Sequence, residues 1–157
     1  IGHSERRQYH AETDEIVAAK VKAAVKHGIV PVICVGETAE DLEKHGASAV
    51  PVAQLKVALE GLPKGADVVV AYEPVWAIGS GQAATPEQAE QVAAPLRAVV
   101  AQALGDDAAS RSTTFLRSFV TKSTSAYSRH RAAPRVVAGA RRVACIMDTR
   151  AALYVAP

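Results

Sequence analysis

Two short segments of the sequence combine a side chain that could transfer or donate a proton with neighbours that would hold it in place. His3 lies within Gly-His-Ser-Glu-Arg-Arg, where a strand should end and Ser4 should cap a helix. The imidazole would then lie beside backbone amides that lack partners, and these disfavour a charged ring. A neutral imidazole can still donate a hydrogen bond to a carbonyl oxygen on which negative charge develops.

The second segment places a carboxylate before a glycine-flanked loop. Glu73 directly follows the apolar run at residues 68–72, and the carboxyl end of a parallel strand is where ligands bind in α/β folds. The loop at residues 75–78 is apolar and would be costly to expose permanently, which indicates a lid that closes over a substrate. Trp76 and Ile78 belong to that lid, and backbone amides near Gly79 could meet a phosphate.

We expect the remaining cysteines and histidines to have structural roles or to be exposed to solvent. Cys34 lies inside an apolar run, which favours a buried, reduced thiol, and its distance from Cys145 matches no metal or disulfide pattern. Four other histidines lack the neighbours that distinguish His3, and we expect them to be structural or exposed: His10, His27, His45 and His130.

Strand and helix patterns alternate along the first two thirds of the chain. Thr13 should cap a helix that runs to Gly28, and a β-branched run at residues 29–35 predicts a strand buried on both faces. Residues 38–62 are helical in pattern, with a break near Gly46 and Pro51.

The run at residues 68–72 predicts a second buried strand, and a crossover of this length implies parallel pairing. Thr-Pro-Glu-Gln at residues 85–88 is a capping box that begins a helix ending near Leu104, which Pro95 should kink. This βα alternation leaves two architectures open, a doubly wound sheet and a (β/α)8 barrel.

The charge of the chain changes abruptly near residue 110. Residues 1–110 carry a net charge of −6, whereas residues 111–157 carry +8, and eight of the nine basic residues in the second part are arginine. We considered a nucleic-acid-binding arm, a solvated tail, and translation of a shifted reading frame, and we favour the last. We therefore divide the chain into part of an α/β domain at residues 1–110 and an atypical basic tail at residues 111–157.

Three segments together resemble the triosephosphate isomerase family. They are residues 2–7, residues 31–37 and Tyr-Glu-Pro-Val-Trp-Ala-Ile-Gly-Ser-Gly at residues 72–81, which look like the family's fourth, fifth and sixth strand ends. The resemblance, over about residues 1–108, implies part of a (β/α)8 barrel. It also implies the interconversion of dihydroxyacetone phosphate and glyceraldehyde 3-phosphate, a step of glycolysis and gluconeogenesis, without metal or organic cofactor.

Residue by residue, the resemblance makes Glu73 the base and His3 the neutral electrophile. Trp76 and Ile78 would belong to the closing lid, and Gly79 to the phosphate-binding site. Glu5 would be a further carboxylate near the active site. Cys34 matches a buried strand cysteine. For the intact family member, the resemblance implies a cytoplasmic homodimer.

The sequence also departs from the family. The Asn-x-Lys end of a first strand and the later Tyr-Gly-Gly-Ser and Gly-Gly-Ala segments are not found in it, and position 1 is Ile in place of an initiator methionine. We therefore expect the chain alone to be inactive and poorly folded. The alternatives are a non-catalytic module with a basic nucleic-acid-binding arm and another phosphate-handling barrel enzyme. No apolar run is long enough for a membrane span.

Overall fold

A computed structural model describes residues 1–78, 80, 84–117 and 143–146, with the last two strands described by their backbone alone. The helices are α1 (Ser4–His10), α2 (Asp14–Lys26), α3 (Ala39–His45), α4 (Ala49–Leu59), α5 (Pro86–Leu104) and α6 (Asp106–Arg111), with a single 3₁₀ turn at Val75–Ala77. The strands are β1 (Val32–Val35), β2 (Val69–Tyr72), β3 (Thr113–Arg117) and β4 (Val143–Ile146).

The four strands form one parallel sheet in the order β1-β2-β3-β4. Ile1 extends this sheet beyond β1, because its carbonyl accepts from the amide of Cys34 at 2.9 Å and its amino group donates to the carbonyl of Val32 at 2.7 Å. The start of the chain therefore lies beside the carboxyl half of β1, so that residues following Ile1 emerge at the same end of the sheet as the residues following β1 and β2.

The hydrophobic core lies between the sheet and a layer of helices. Alternate residues of β1 and β2 face it, and fully buried side chains of α2, α4 and α5 cover them. The members with no exposed surface are Val17, Val21, Ile33, Leu55, Ala58, Val70, Val92 and Leu96. Val32, which points to the opposite face, is 47% exposed. A helix layer on one face of a parallel sheet is the arrangement in the wall of a (β/α)8 barrel, whereas a doubly wound sheet has helices on both faces.

The helix starts predicted at Thr13 and Thr85 are confirmed. The Thr13 side chain accepts from the amide of Ile16, and Thr85 and Gln88 form a reciprocal capping box at the start of α5. These signals are local, which is why the sequence reveals them. α5 runs through Pro95, and this residue cannot donate to the carbonyl four residues earlier.

The strand predicted at residues 29–35 is shorter in the structure, whereas the predicted break in the following helical segment is present. β1 begins at Val32, and Ile29 and Val30 before it are 62% and 53% exposed, so the apolar run is longer than the buried strand. Pairing starts at the carbonyl of Pro31, which accepts from the amide of Val69 at 2.9 Å. The break expected near Gly46 and Pro51 is confirmed, because α3 ends at His45 and α4 begins at Ala49. Pro51 lies in the first turn of α4, where an amide has no partner within the helix.

Most of the basic segment at residues 111–157 lies outside the described residues, so its assignment as a tail stays a prediction. Two strands of the sheet, β3 and β4, do fall within it. Among the described residues, no helix combines the length and the apolar character needed to cross a membrane.

Candidate active site

His3 and Glu73 meet at the carboxyl end of the sheet. The Nε2 atom of His3 lies 3.0 Å from Oε1 of Glu73, and the other carboxylate oxygen, Oε2, accepts from the amide of Ser4 at 3.1 Å. The Glu73 side chain is only 2% exposed and that of His3 is 21% exposed. The two candidate catalytic groups, seventy positions apart in sequence, are thus in direct contact at the edge of a mostly buried site.

The backbone determines which nitrogen of His3 carries the proton. Nδ1 accepts from the amide of Glu5 at 3.2 Å, so the lone pair of the ring lies on that side. The remaining nitrogen, Nε2, then presents its N–H toward Glu73. Here the expectation for Ser4 is wrong, because His3 itself is the N-cap residue and Ser4 is the first residue of α1. The imidazole does lie beside the amides of a helix start, as predicted.

Glu5 contacts the ring through its backbone more closely than through its side chain. Its carboxylate lies 4.0 Å from Nδ1 of His3 and is 76% exposed. A carboxylate in this position is screened by solvent and contributes a weak field at the imidazole.

Glu73 is held in place by the end of β1. Its amide donates to the carbonyl of Val35 at 2.8 Å, and the amide of Val75 donates to the carbonyl of Glu37 at 3.0 Å. These bonds continue the parallel pairing past the end of β2. Gly36 lies between them, so close to Glu73 that a Cβ atom on Gly36 would be 1.7 Å from the Glu73 carbonyl oxygen.

A buried carboxyl group beneath the predicted lid was not anticipated as a functional residue. Glu37 has no exposed surface, and its Oε1 accepts from the Tyr72 hydroxyl and from the Trp76 indole N–H, both at 2.7 Å. Burial raises the pKa of Glu37, although the hydrogen bonds from Tyr72 and Trp76 oppose the rise. Burial and the Glu37 carboxylate likewise raise the pKa of Tyr72. A carboxylate directly after a buried strand is the signal that could have identified Glu37.

The lid residues lie around the 3₁₀ turn at Val75–Ala77. Trp76 is half-buried through its contact with Glu37, and Ile78 is also half-buried. Gly79 lies outside the described residues. Within the described part of the chain, no cluster of three or more histidine, cysteine or acidic side chains could hold a metal ion.

Comparisons of the sequence with known proteins identify its family. The sequence profile of the family described as triosephosphate isomerase matches residues 1–116. The chain is 77% identical over 111 residues to a triosephosphate isomerase of Leifsonia xyli subsp. xyli, covering 71% of this chain and 43% of that protein. It is 50% identical over 113 residues to a triosephosphate isomerase of Symbiobacterium thermophilum, covering 71% of this chain and 44% of that protein.

A triosephosphate isomerase of Clostridium perfringens is 49% identical over 113 residues, with 71% of this chain and 46% of that protein covered. The chain therefore spans less than half the length of the curated relatives that it matches. The profile match extends beyond residue 108, where the resemblance of the motifs ends, as far as β3. Over nearly three quarters of its length, this chain belongs to the triosephosphate isomerase family, and its parallel strands and helices form part of that family's (β/α)8 barrel.

Proposed function

We propose that His3 and Glu73 form the proton-transfer pair of a triose-phosphate isomerase active site, which interconverts dihydroxyacetone phosphate and glyceraldehyde 3-phosphate. The observation that carries the proposal is the 3.0 Å contact between Nε2 of His3 and Oε1 of Glu73, both within the segment that matches the family. A carboxylate base and an imidazole donor at this separation can act on adjacent atoms of one small substrate.

Each group has a distinct role, which is the division of labour known for this family. Glu73 removes a proton from the carbon beside the substrate carbonyl, and the electron pair moves onto the carbonyl oxygen to form an enediolate. The N–H at Nε2 of His3 donates a hydrogen bond to that oxygen and stabilises the negative charge. The hydroxyl proton on the first carbon passes to the former carbonyl oxygen, with Nε2 of His3 giving up one proton and taking up the other. Glu73 then returns the carbon-derived proton to the neighbouring carbon, which completes the isomerisation without net consumption of a proton.

Substrate must separate the two side chains before this sequence can begin. The carboxylate of Glu73 contacts both Nε2 of His3 and the amide of Ser4, and these are the positions that a substrate oxygen would take. A lid that includes Trp76 and Ile78 would then exclude water, while backbone amides at Gly79 would bind the phosphate. Closure of the lid must also change the contact between Trp76 and Glu37.

We propose that turnover requires more of the barrel than this chain contains. The chain corresponds to 43% of the Leifsonia relative, and a barrel enzyme takes its catalytic and binding groups from the ends of several strands. A homodimeric assembly and a cytoplasmic location are further proposals that rest on membership of the family. The boundary at residue 110 between barrel and basic tail is likewise a proposal.

The test is a chimera in which the aligned residues of this chain replace their 111 counterparts in the Leifsonia relative. We expect the chimera to retain isomerase activity. Glu73→Gln should lower kcat by roughly 10² to 10⁴-fold, because it removes the base. His3→Gln should lower kcat by roughly 10² to 10³-fold, because it weakens stabilisation of the enediolate.

Matched controls are the same substitutions at exposed positions of the chain. Glu87→Gln in the first turn of α5 and His45→Gln at the end of α3 should leave kcat unchanged, since both side chains are exposed. The proposal is refuted by a folded chimera without activity, or by Glu73→Gln behaving like Glu87→Gln.

A further inference from the structure

Both peptide groups that flank Gly2 are held by charged side chains. The amide of Gly2 donates to Oε2 of Glu12 at 3.0 Å, and its carbonyl accepts from Nε of Arg7 at 2.8 Å. Gly2 has a φ of +77°, which lies in the left-handed region that glycine adopts most easily. His3 is the next residue, so the orientation of these two peptide groups determines where its ring points.

Glu12 is an unusual residue to find behind this turn. It is 5% exposed, and its other oxygen, Oε1, binds Arg6 at 3.2 Å and the ammonium group of Lys20. Burial alone would raise the pKa of Glu12, but the hydrogen bonds from Lys20, Arg6 and Gly2 outweigh it and lower this pKa to about 2. Both oxygens of this buried carboxylate accept hydrogen bonds, and two of the donors are cations, which offsets the cost of burying its charge. Removing the carboxylate would leave these groups without their partner and would destabilise the fold.

The chain between α1 and Glu12 reverses through a strained residue. Ala11 has a φ of +49°, which is uncommon for a residue with a Cβ atom, and the amide of Glu12 returns to the carbonyl of Arg6 at 3.2 Å. This reversal brings the carboxylate back beneath Gly2. Backbone strain of this kind persists only where the surroundings over-determine it.

α1 has no apolar anchor of its own. None of its seven residues is buried, so hydrophobic packing does not hold the helix against the core. The ion pair between Arg7 and Asp14 joins α1 to α2, and hydrogen bonds join Arg7 to Gly2 and the start of the helix to Glu73. The same helix start carries the amide that orients Nδ1 of His3.

We propose that Glu12 and Arg7 are positioning residues that set the orientation of His3 by gripping the two peptide groups around Gly2. This inference rests on the proposed role of His3. Neither side chain would touch substrate. They act by fixing the geometry in which Nδ1 accepts from Glu5 and Nε2–H faces Glu73, at 3.2 and 3.0 Å.

Glu12→Gln keeps the size of the side chain but removes its hydrogen bond to the amide of Gly2. The three partners of Glu12 are all donors, whereas glutamine offers one acceptor and one donor. The two cations bind the amide oxygen more strongly than a neutral N–H does, so the glutamine NH₂ would turn toward the Gly2 amide and break that hydrogen bond. Arg7→Lys is the second variant, because a lysine keeps the charge but cannot bind the Gly2 carbonyl and Asp14 together.

The readout is the tautomer of His3 in the chimera with the Leifsonia relative, measured by ¹H–¹⁵N correlation across ¹⁵N-labelled imidazole rings at a pH where the rings are uncharged. The His3 signal is identified by its loss in His3→Gln. In the parent chimera we expect a single tautomer with the proton on Nε2. Glu12→Gln and Arg7→Lys should each lose this signal in favour of an averaged mixture.

The control is Val92→Ala, which removes core volume from α5 at a fully buried position without touching the turn at Gly2. It should lower stability and leave the tautomer unchanged. A single Nε2–H tautomer retained in both Glu12→Gln and Arg7→Lys would overturn the proposal, and so would its equal loss in Val92→Ala. If Glu12→Gln does not fold, Arg7→Lys decides the outcome.

Failure of the proposed function would look different. If the chimera is inactive but Glu12→Gln and Arg7→Lys still disturb the His3 tautomer, the isomerase role is rejected. The positioning role of Glu12 and Arg7 then stands. An active chimera in which both Glu12→Gln and Arg7→Lys leave the tautomer unchanged would reject the positioning role of Glu12 and Arg7 alone.

Discussion

Substituting Gly36 by alanine tests whether the end of β1 determines the position of Glu73. The new Cβ atom would lie 1.7 Å from the carbonyl oxygen and 2.8 Å from the carbonyl carbon of Glu73. Ordinary contact begins at 3.4 Å, so the two backbone segments must separate by roughly 1.7 Å. The obstacle is backbone on both sides, and no flexible side chain can turn away to relieve it.

The separation removes two hydrogen bonds that hold the residues after β2. These run from the Glu73 amide to Val35 at 2.8 Å and from the Val75 amide to Glu37 at 3.0 Å. Leaving a buried backbone group without a partner costs about 1–3 kcal/mol, so with two hydrogen bonds lost we expect Gly36→Ala to lower the free energy of unfolding by about 2–6 kcal/mol. A displacement of about 1 Å at a catalytic group can lower the rate by about 100-fold.

The chain contains a convenient reporter, because Trp76 is its single tryptophan and donates its indole N–H to Glu37 at 2.7 Å. Urea unfolding measures the stability change, and native-state Trp76 fluorescence measures the displacement at Glu37. In Gly36→Ala we expect the emission of the folded chain to move to longer wavelength, because the indole loses its partner and becomes more exposed.

Gly28→Ala is the matched control. Gly28 has a φ of +71°, and no neighbouring atom lies within 4 Å of the position that a Cβ atom would take there. This substitution therefore adds backbone strain of about 1–2 kcal/mol without a collision. It should leave Trp76 emission unchanged. The reasoning is refuted if the stability of Gly36→Ala is within about 0.5 kcal/mol of the parent chain, the usual scatter of neutral substitutions, and its emission is also unchanged.

Three further predictions concern charge and packing. Folding lowers the pKa of Glu12 from 4.5 to about 2, so the unfolded chain binds more protons in this interval and stability falls as the pH falls through it. The loss should reach at most about 3 kcal/mol, because solvent screens the half-exposed cations, and urea unfolding at several pH values should show it disappear in Glu12→Gln. Tyr72→Phe removes one of the two donors to buried Glu37 and should cost about 1–3 kcal/mol in urea unfolding, whereas a change within error would show that the bond contributes nothing. Leu96→Ala empties a site in α5 with no exposed surface and should cost about 2–5 kcal/mol by the same measurement, and a smaller loss would mean that the core relaxes around it.

The elements that local sequence determines were predicted well. Thr13 and Thr85 cap their helices as expected, because a hydroxyl needs only an amide three residues away. The parallel pairing of β1 with β2 was also predicted, since the length of the crossover between two apolar runs excludes a hairpin. Membership of the triosephosphate isomerase family is confirmed by the profile match.

The predicted boundaries of two elements, the start of α1 and the start of β1, were wrong. Ser4 was the predicted N-cap of α1, but the N-cap is His3, one position earlier. Both side chains can accept a hydrogen bond from an amide of the first turn, so the sequence does not distinguish them. The apolar run at residues 29–35 predicts a buried strand throughout, but Ile29 and Val30 lie before the first pairing with β2 and are exposed. Hydrophobicity alone does not show where a neighbouring strand begins.

The sequence by itself singled out His3 and Glu73 as candidate catalytic residues, since each stands in a motif whose neighbours are only a few residues away. Tertiary structure alone decided that they touch, that Gly36 lies against Glu73, and that Glu12 grips Gly2. The first kind of information is local, because caps, turns and strand ends depend on adjacent residues. The second depends on which strands pair and how α1 folds back, so hydrogen bonds that join distant residues appear only once the sheet has formed.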